Sequence, residues 1–125
     1  MLPADDRISE VNRYLPLSPR VFQILISLAD RPLHGYAVIQ DVAERTGGEV
    51  RLTASTLYDA LTRLVDRGWI KEVQAPANAD SRDSRRRYYR LSELGREVAG
   101  REALRLEQVL ESARKKRLLP KRARK

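Results

Sequence analysis

Apolar residues recur at helical spacing along most of the chain. From Ser18 to Arg31 they fall at Val21, Phe22, Ile24, Leu25, Leu28 and Ala29, which puts a broad apolar stripe on one side of a helix. Ser18 suits the cap, Pro19 the first turn, where no N–H is needed, and Leu17 with Phe22 a hydrophobic staple, while Pro32 ends the segment. The spacing predicts a second helix over His34 to Thr46, with Tyr36, Ile39, Val42 and Ala43 inward and His34 as a cap or packing residue; Gly47 and Gly48 tolerate the left-handed turn at its end. After a short extended piece, Glu49 to Leu52, Thr53 caps a third helix. Its buried side is Leu57, Ala60, Leu61 and Leu64, and Gly68 closes it.

The period then changes. Trp69 to Ala75 reads as a strand that starts with a core tryptophan, Pro76 to Ser84 as a turn-rich loop, and Arg85 to Leu91 as the returning strand of a hairpin. Tyr88 and Tyr89 fall on opposite strand faces, so one is expected inside and the other near the surface. Ser92 caps a last helix that runs to about Arg117. Along it Ala99, Ala103, Leu106, Leu110 and Ala113 repeat at alternating steps of four and three, with Val109 beside them, a narrow seam that calls for another helix. Upstream, Ile8, Val11 and Leu15 share one side of a segment, Asp5 to Leu15, that is too short to be a stable helix alone.

Mainly helical with one small β-hairpin, this order is that of a winged helix-turn-helix followed by a long C-terminal dimerisation helix. It divides the chain into an N-terminal extension packing on the dimer (1–17), the winged domain (18–91), the dimerisation helix (92–117) and a basic tail expected to be disordered (118–125).

Composition narrows the chemistry. The 125 residues hold one His and no Cys, which removes disulfides, thiolate metal sites and Cys nucleophiles; no metal or cofactor is expected. Neither a Gly-rich phosphate loop nor a nucleophile motif is present, so nothing supports an enzyme. The longest uncharged runs, such as Val21 to Ala29, fall far short of the roughly 20 apolar residues that span a bilayer, and the start lacks a signal-peptide pattern. A cytoplasmic protein is expected. The net charge of +8 lies wholly at the C-terminal end, because Arg114 to Lys125 holds eight basic residues and no acid, leaving the rest of the chain balanced. The basic pI therefore does not make the folded body a nucleic-acid binder, and local pattern has to decide.

Two surfaces stand out. The third helix leaves Thr53, Ser55, Thr56, Tyr58, Asp59, Thr62, Arg63 and Asp66 off its apolar side. Short hydroxyls and free helix N–H groups can approach phosphates or base edges, and Arg63 can pair with a phosphate or a guanine. An ordinary solvated face is the plainer reading. Asp59 and Asp66 would repel phosphates unless they pair with Arg63, although Asp59 can also accept from a cytosine amino group. The hairpin concentrates Arg82, Arg85, Arg86, Arg87 and Arg90 around Asp83, suited to phosphate pairing, against the plainer reading of a charged strand edge that resists aggregation. The rival to a DNA-binding regulator is a winged protein-interaction module whose tail associates loosely with nucleic acid.

His34-Gly35-Tyr36-Ala37, Thr56-Leu57-Tyr58-Asp59-Ala60-Leu61 with Arg63-Leu64, Gly68-Trp69-Ile70, and Arg86-Arg87-Tyr88-Tyr89-Arg90-Leu91-Ser92 with Gly95-Arg96 follow one another at specific spacing. In this the chain resembles the PadR family of bacterial transcriptional regulators, from about Leu17 to the end of the last helix. The resemblance implies a homodimeric winged-helix repressor on double-stranded DNA, joined through C-terminal helices and often released by a small-molecule effector. Carried over by position, it implies DNA contacts from Thr53 to Arg67, foremost Ser55, Thr56 and Tyr58, and from Arg82 to Arg90. It also makes Tyr36 a phosphate contact, against the reading of that residue as core. Asp59 stands where many members have Pro. A palindromic operator follows from two-fold symmetry.

Overall fold

The computed structural model describes residues 10–121, so Ile8 and the last four tail residues lie outside the described part. Among the described residues, four full helices carry the fold: α1 (Pro19–Ser27), α2 (Gly35–Arg45), α3 (Ala54–Asp66) and α4 (Glu93–Lys115). Three short strands, β1 (Leu33–His34), β2 (Ile70–Val73) and β3 (Tyr88–Leu91), form one antiparallel sheet in the order β1-β3-β2.

Each helix starts where a side chain can satisfy its free amides. Ser18 Oγ accepts from the Val21 amide at 3.2 Å, His34 Nδ1 from Ala37 at 3.1 Å, Thr53 Oγ1 from Thr56 at 3.1 Å and Ser92 Oγ from Gly95 at 3.0 Å. Gly47, Gly48 and Gly68 take positive φ at the ends of α2 and α3, as a left-handed exit requires. Helix α1 ends at Ser27, with Leu28 as its C-cap, four residues before the expected Arg31.

Ile24, Leu25 and Leu28, Val38 and Val42, Leu57, Leu61 and Leu64, Trp69, Ile70 and Val98 fill a single core. At about 1.5–3 kcal/mol per fully buried large apolar side chain, this cluster supplies most of the drive to fold. Val11 is buried in it and Leu15 packs against it, so the extension closes the core of its own chain. Tyr14 meets Trp69 edge-on at 5.1 Å, with the Arg67 guanidinium over both rings.

The sheet departs from the expected hairpin in three ways. β1 adds a third strand, pairing Leu33 with Tyr89 and His34 with Tyr88. Strands β2 and β3 are shorter than Trp69 to Ala75 and Arg85 to Leu91, because Asp83–Arg85 forms a 3₁₀ turn. Tyr88 and Tyr89 are both buried: Tyr89 enters the main core, and Tyr88 is covered edge-on by the His34 ring of β1 at 5.3 Å. The added strand shelters the face that a two-stranded hairpin would leave open.

Polar groups inside the fold are paired. Arg45 on α2 donates to Asp41, to the Gln23 side chain and carbonyl, and to the buried Ser27 hydroxyl, which itself donates to Asp41 at 2.7 Å. This fork locks α1 to α2. Among the described residues no buried side-chain polar atom lacks a partner.

Candidate nucleic-acid interface

Helices α2 and α3 form the helix-turn-helix, and α3 turns a hydroxyl-bearing face outward. Thr53, Ser55, Tyr58, Asp59, Thr62 and Arg63 are exposed, and Thr56 is half-buried. The Thr53 hydroxyl both caps the helix and donates to Thr56 Oγ1 at 2.8 Å, so the first turn is held in place before any ligand arrives. Thr62 spends its hydroxyl proton on the Tyr58 carbonyl at 2.9 Å and presents lone pairs outward. Tyr58 leans toward the start of α2. A Cβ on Gly35 would stand 2.7 Å from the Tyr58 hydroxyl, so glycine there makes room for that ring.

Of the alternatives for Asp59 and Asp66, pairing with Arg63 does not form; none of the ion pairs among the described residues joins them. Arg63 therefore stays unneutralised beside the hydroxyls, and the two carboxylates face solvent.

Tyr36 is 52% exposed, which corrects its reading as an inward residue of α2. It follows the N-cap, and the buried positions of the helix are Gly35, Val38 and Val42. Its ring lies parallel to His34, with 6.5 Å between centroids, at the junction of α2 with the sheet. The Arg86 guanidinium of the wing lies over the same ring at 5.4 Å.

The wing is the loop between β2 and β3. Its turn is built by acids rather than by arginines: Asp80 Oδ1 accepts from the Asp83 amide at 2.7 Å, and Arg86 N donates to the Asp83 carbonyl at 3.1 Å. Arg82, Arg85, Arg87 and Arg90 are exposed. Arg86 differs. It is half-buried, its Nε is 3.3 Å from Asp83 Oδ1, its Nη1 is 3.3 Å from His34 Nδ1, and its guanidinium sits over the Tyr36 ring at 5.4 Å. Burial and the Arg86 charge hold the His34 imidazole below its usual pKa, against the weaker pull of Asp83. His34 Nδ1 accepts from Ala37, so the ring proton resides on Nε2, 3.8 Å from Asp83.

Helix α4 leaves this head as a rod. Its first turns are anchored: Gly95 and Val98 are buried, Ala99 packs against the core of its own chain, and Glu102 is held bidentately by Arg105 at 2.6 and 3.0 Å. Farther on, Leu106 is 40% exposed, Val109 56% and Leu110 42%; Ala103 is exposed and Ala113 half-exposed. Of the seam residues, Ala99 alone already has a partner within the chain.

His34 and Asp83 are the site residues that sequence reasoning undervalued. The His-Gly-Tyr motif was the available signal, but its reach across 52 positions to Arg86 has no trace in local pattern. No helix among the described residues is long and apolar enough to cross a membrane, and no group of three or more His, Cys, Asp or Glu is placed to hold a metal.

A helix-turn-helix flanked by a three-stranded wing and continued by a capped rod defines a winged helix-turn-helix protein. The model of the transcriptional regulator PadR-like family matches residues 24–101, well over half of the chain, and the chain belongs to that family, which is one of regulators and not of enzymes. Solved structures agree on the fold. A PadR family transcription regulator from Clostridium difficile R20291 superimposes with a TM-score of 0.64 at 23% identity, covering 76% of this chain and 94% of that one. A padR family transcriptional regulator from Eggerthella lenta gives 0.59 at 26% identity, covering 94% and 96%. Bacillus subtilis PadR in complex with operator DNA gives 0.56 at 22% identity, covering 68% of this chain and 46% of that one. Comparison with curated proteins finds no match.

Proposed function

We propose that this regulator binds double-stranded DNA as a homodimer, represses from a palindromic operator, and is released by a small-molecule effector. The observation that carries the reading is that α3 and the wing meet at the start of α2, where Tyr58 of α3 lies over Gly35 while Arg86 of the wing reaches His34 and Tyr36. The operator complex of Bacillus subtilis PadR supports it by likeness of fold.

In this reading α3 enters the major groove, where Ser55, Thr56 and Tyr58 meet phosphate oxygens or base edges and Arg63 pairs with a phosphate or a guanine. Asp59 accepts from a cytosine amino group, and Tyr36 and Thr53 line the phosphate path. Arg82, Arg85 and Arg87 grip the backbone beside the groove, each contributing to the salt dependence. The rods pair through Leu106, Val109, Leu110, Ala103 and Ala113, which sets two α3 helices about 34 Å apart and half-sites about 10 base pairs apart, or a multiple of that. An effector seated along the rods would alter that spacing and lower affinity for the operator.

The test is a mobility-shift and anisotropy titration of the full chain against the DNA upstream of its own gene, with competitor duplex, at several salt concentrations. The expected result is a preference for one palindromic segment that survives truncation after Leu118. Binding that vanishes with the tail, or that never distinguishes that DNA from competitor, would overturn the reading in favour of an interaction module with loose nucleic-acid affinity.

A further inference from the structure

Past the Val73–Tyr88 pair the β ladder ends, and residues 74–87 leave the sheet as the wing. Among the described residues, the ion pairs and side-chain hydrogen bonds between this loop and α2 with its cap converge on one cluster: Asp83, Arg86 and His34, with Tyr36 stacked beside them. Every member is tied to a different piece of the fold. Asp83 is presented by the wing's own turn, which Asp80 braces from below. Arg86 closes the 3₁₀ turn, two residues before β3. His34 belongs to β1 and caps α2, while Tyr36 rides on the first turn of α2, beside the glycine over which Tyr58 of α3 lies.

We infer that Arg86 is the positioning residue of the wing, a latch that fixes the exposed arginines relative to α3, and not itself a phosphate contact. The geometry points this way because the guanidinium is already committed: its Nε edge faces a carboxylate, its Nη1 an imidazole nitrogen, and one flat face the Tyr36 ring. A phosphate could recruit it only by breaking those contacts. Arg82, Arg85 and Arg87 lack that cradle, Arg87 keeping a hydrogen bond to the Tyr89 hydroxyl, and remain as the phosphate-gripping set. Asp83 thereby acquires a role opposite to that of an ordinary acid near DNA. It repels phosphates at long range, yet it holds the wing that grips them. The inference deepens the DNA-binding reading and rests on it for its affinity consequence, but the latch itself exists without DNA.

That separation shapes the experiment. Amide hydrogen exchange of the free full-length protein is compared for the parent, Asp83→Ala, Arg86→Gln and Arg87→Gln, at the amides of Asp83, Ser84 and Arg86, which are hydrogen-bonded within the turn. Asp83→Ala and Arg86→Gln should each speed exchange by about fivefold or more, and Arg87→Gln should leave it unchanged. The same proteins are then titrated with the upstream duplex. Asp83→Ala should weaken binding by about fivefold although it removes a negative charge, which is the reverse of the sign that repulsion alone predicts. Unchanged exchange in both latch variants overturns the inference, as does tighter duplex binding by Asp83→Ala. Faster exchange in a protein that binds no duplex keeps the latch and rejects the DNA reading instead.

Discussion

The two halves of α4 have similar composition and opposite fates. From Glu93 to Arg105 the helix is built into the head: Gly95 lies so close to Trp69 that a Cβ would run into its carbonyl oxygen, Val98 is fully buried, and Glu102 is buried and paired. From Leu106 onward no residue of the helix is buried, and its apolar side chains face water. A helix of these last turns alone would be marginal in water, so its persistence asks for a partner surface. The head completes itself, whereas the rod leaves an apolar face uncovered, the face that the proposed dimer would bury.

The largest expected effect comes from breaking the near half. Gly95→Ala should cost about 3 kcal/mol in urea denaturation, at the upper end for overpacking, because the obstructing atom belongs to the backbone and cannot swing aside. Breaking the far half should do the reverse, sparing the fold and destroying the assembly. Leu106→Glu combined with Leu110→Glu should give a monomer in sedimentation at concentrations where the parent dimerises, and should weaken operator binding by about tenfold or more, while the near-ultraviolet signal of Trp69 is unchanged. A parent that sediments as a monomer would refute the seam directly.

The smallest effect sharpens where the boundary between the halves lies. Hydrogen bonds from Arg105 hold the Glu102 carboxyl below its usual range against the opposing cost of burial, helped by the Leu17 amide. The stabilisation is therefore complete above the ordinary glutamate pKa of about 4.5 and is lost as pH falls through the lower folded value. Arg105→Ala should lower stability at neutral pH by less than Gly95→Ala does, because Arg105 is itself one-third exposed and solvent screens the pair, and should flatten or reverse the loss of stability on acidification. Thermal melts between pH 7 and pH 3 would show it.

The helical part of the molecule was legible because its signals are local. Ser18, Thr53 and Ser92 are caps in sequence and in structure, and the period of Leu57, Leu61 and Leu64 reports the face they bury. What escaped was made by distant partners. Leu33 and His34 are too few to alternate, so β1 left no pattern, and without β1 the burial of both Tyr88 and Tyr89 has no cause. The wing arginines looked equivalent because adjacency reveals charge and not company; only the fold brings His34 and Tyr36 to Arg86. Glu102, one acid among many on a charged helix, gave no sign that it would be enclosed.

Ser92 joins three parts at one residue: its hydroxyl donates to the Gly68 carbonyl at the end of α3 and accepts from Gly95 at the start of α4, while its amide donates to the Trp69 carbonyl. The knuckle between rod and head thus has no slack. If the rods pair as proposed, a twist applied to them would not be absorbed there as bending and would swing each α3 as a stiff lever, so that small rotations near the symmetry axis would become displacements large enough to miss the next turn of the double helix.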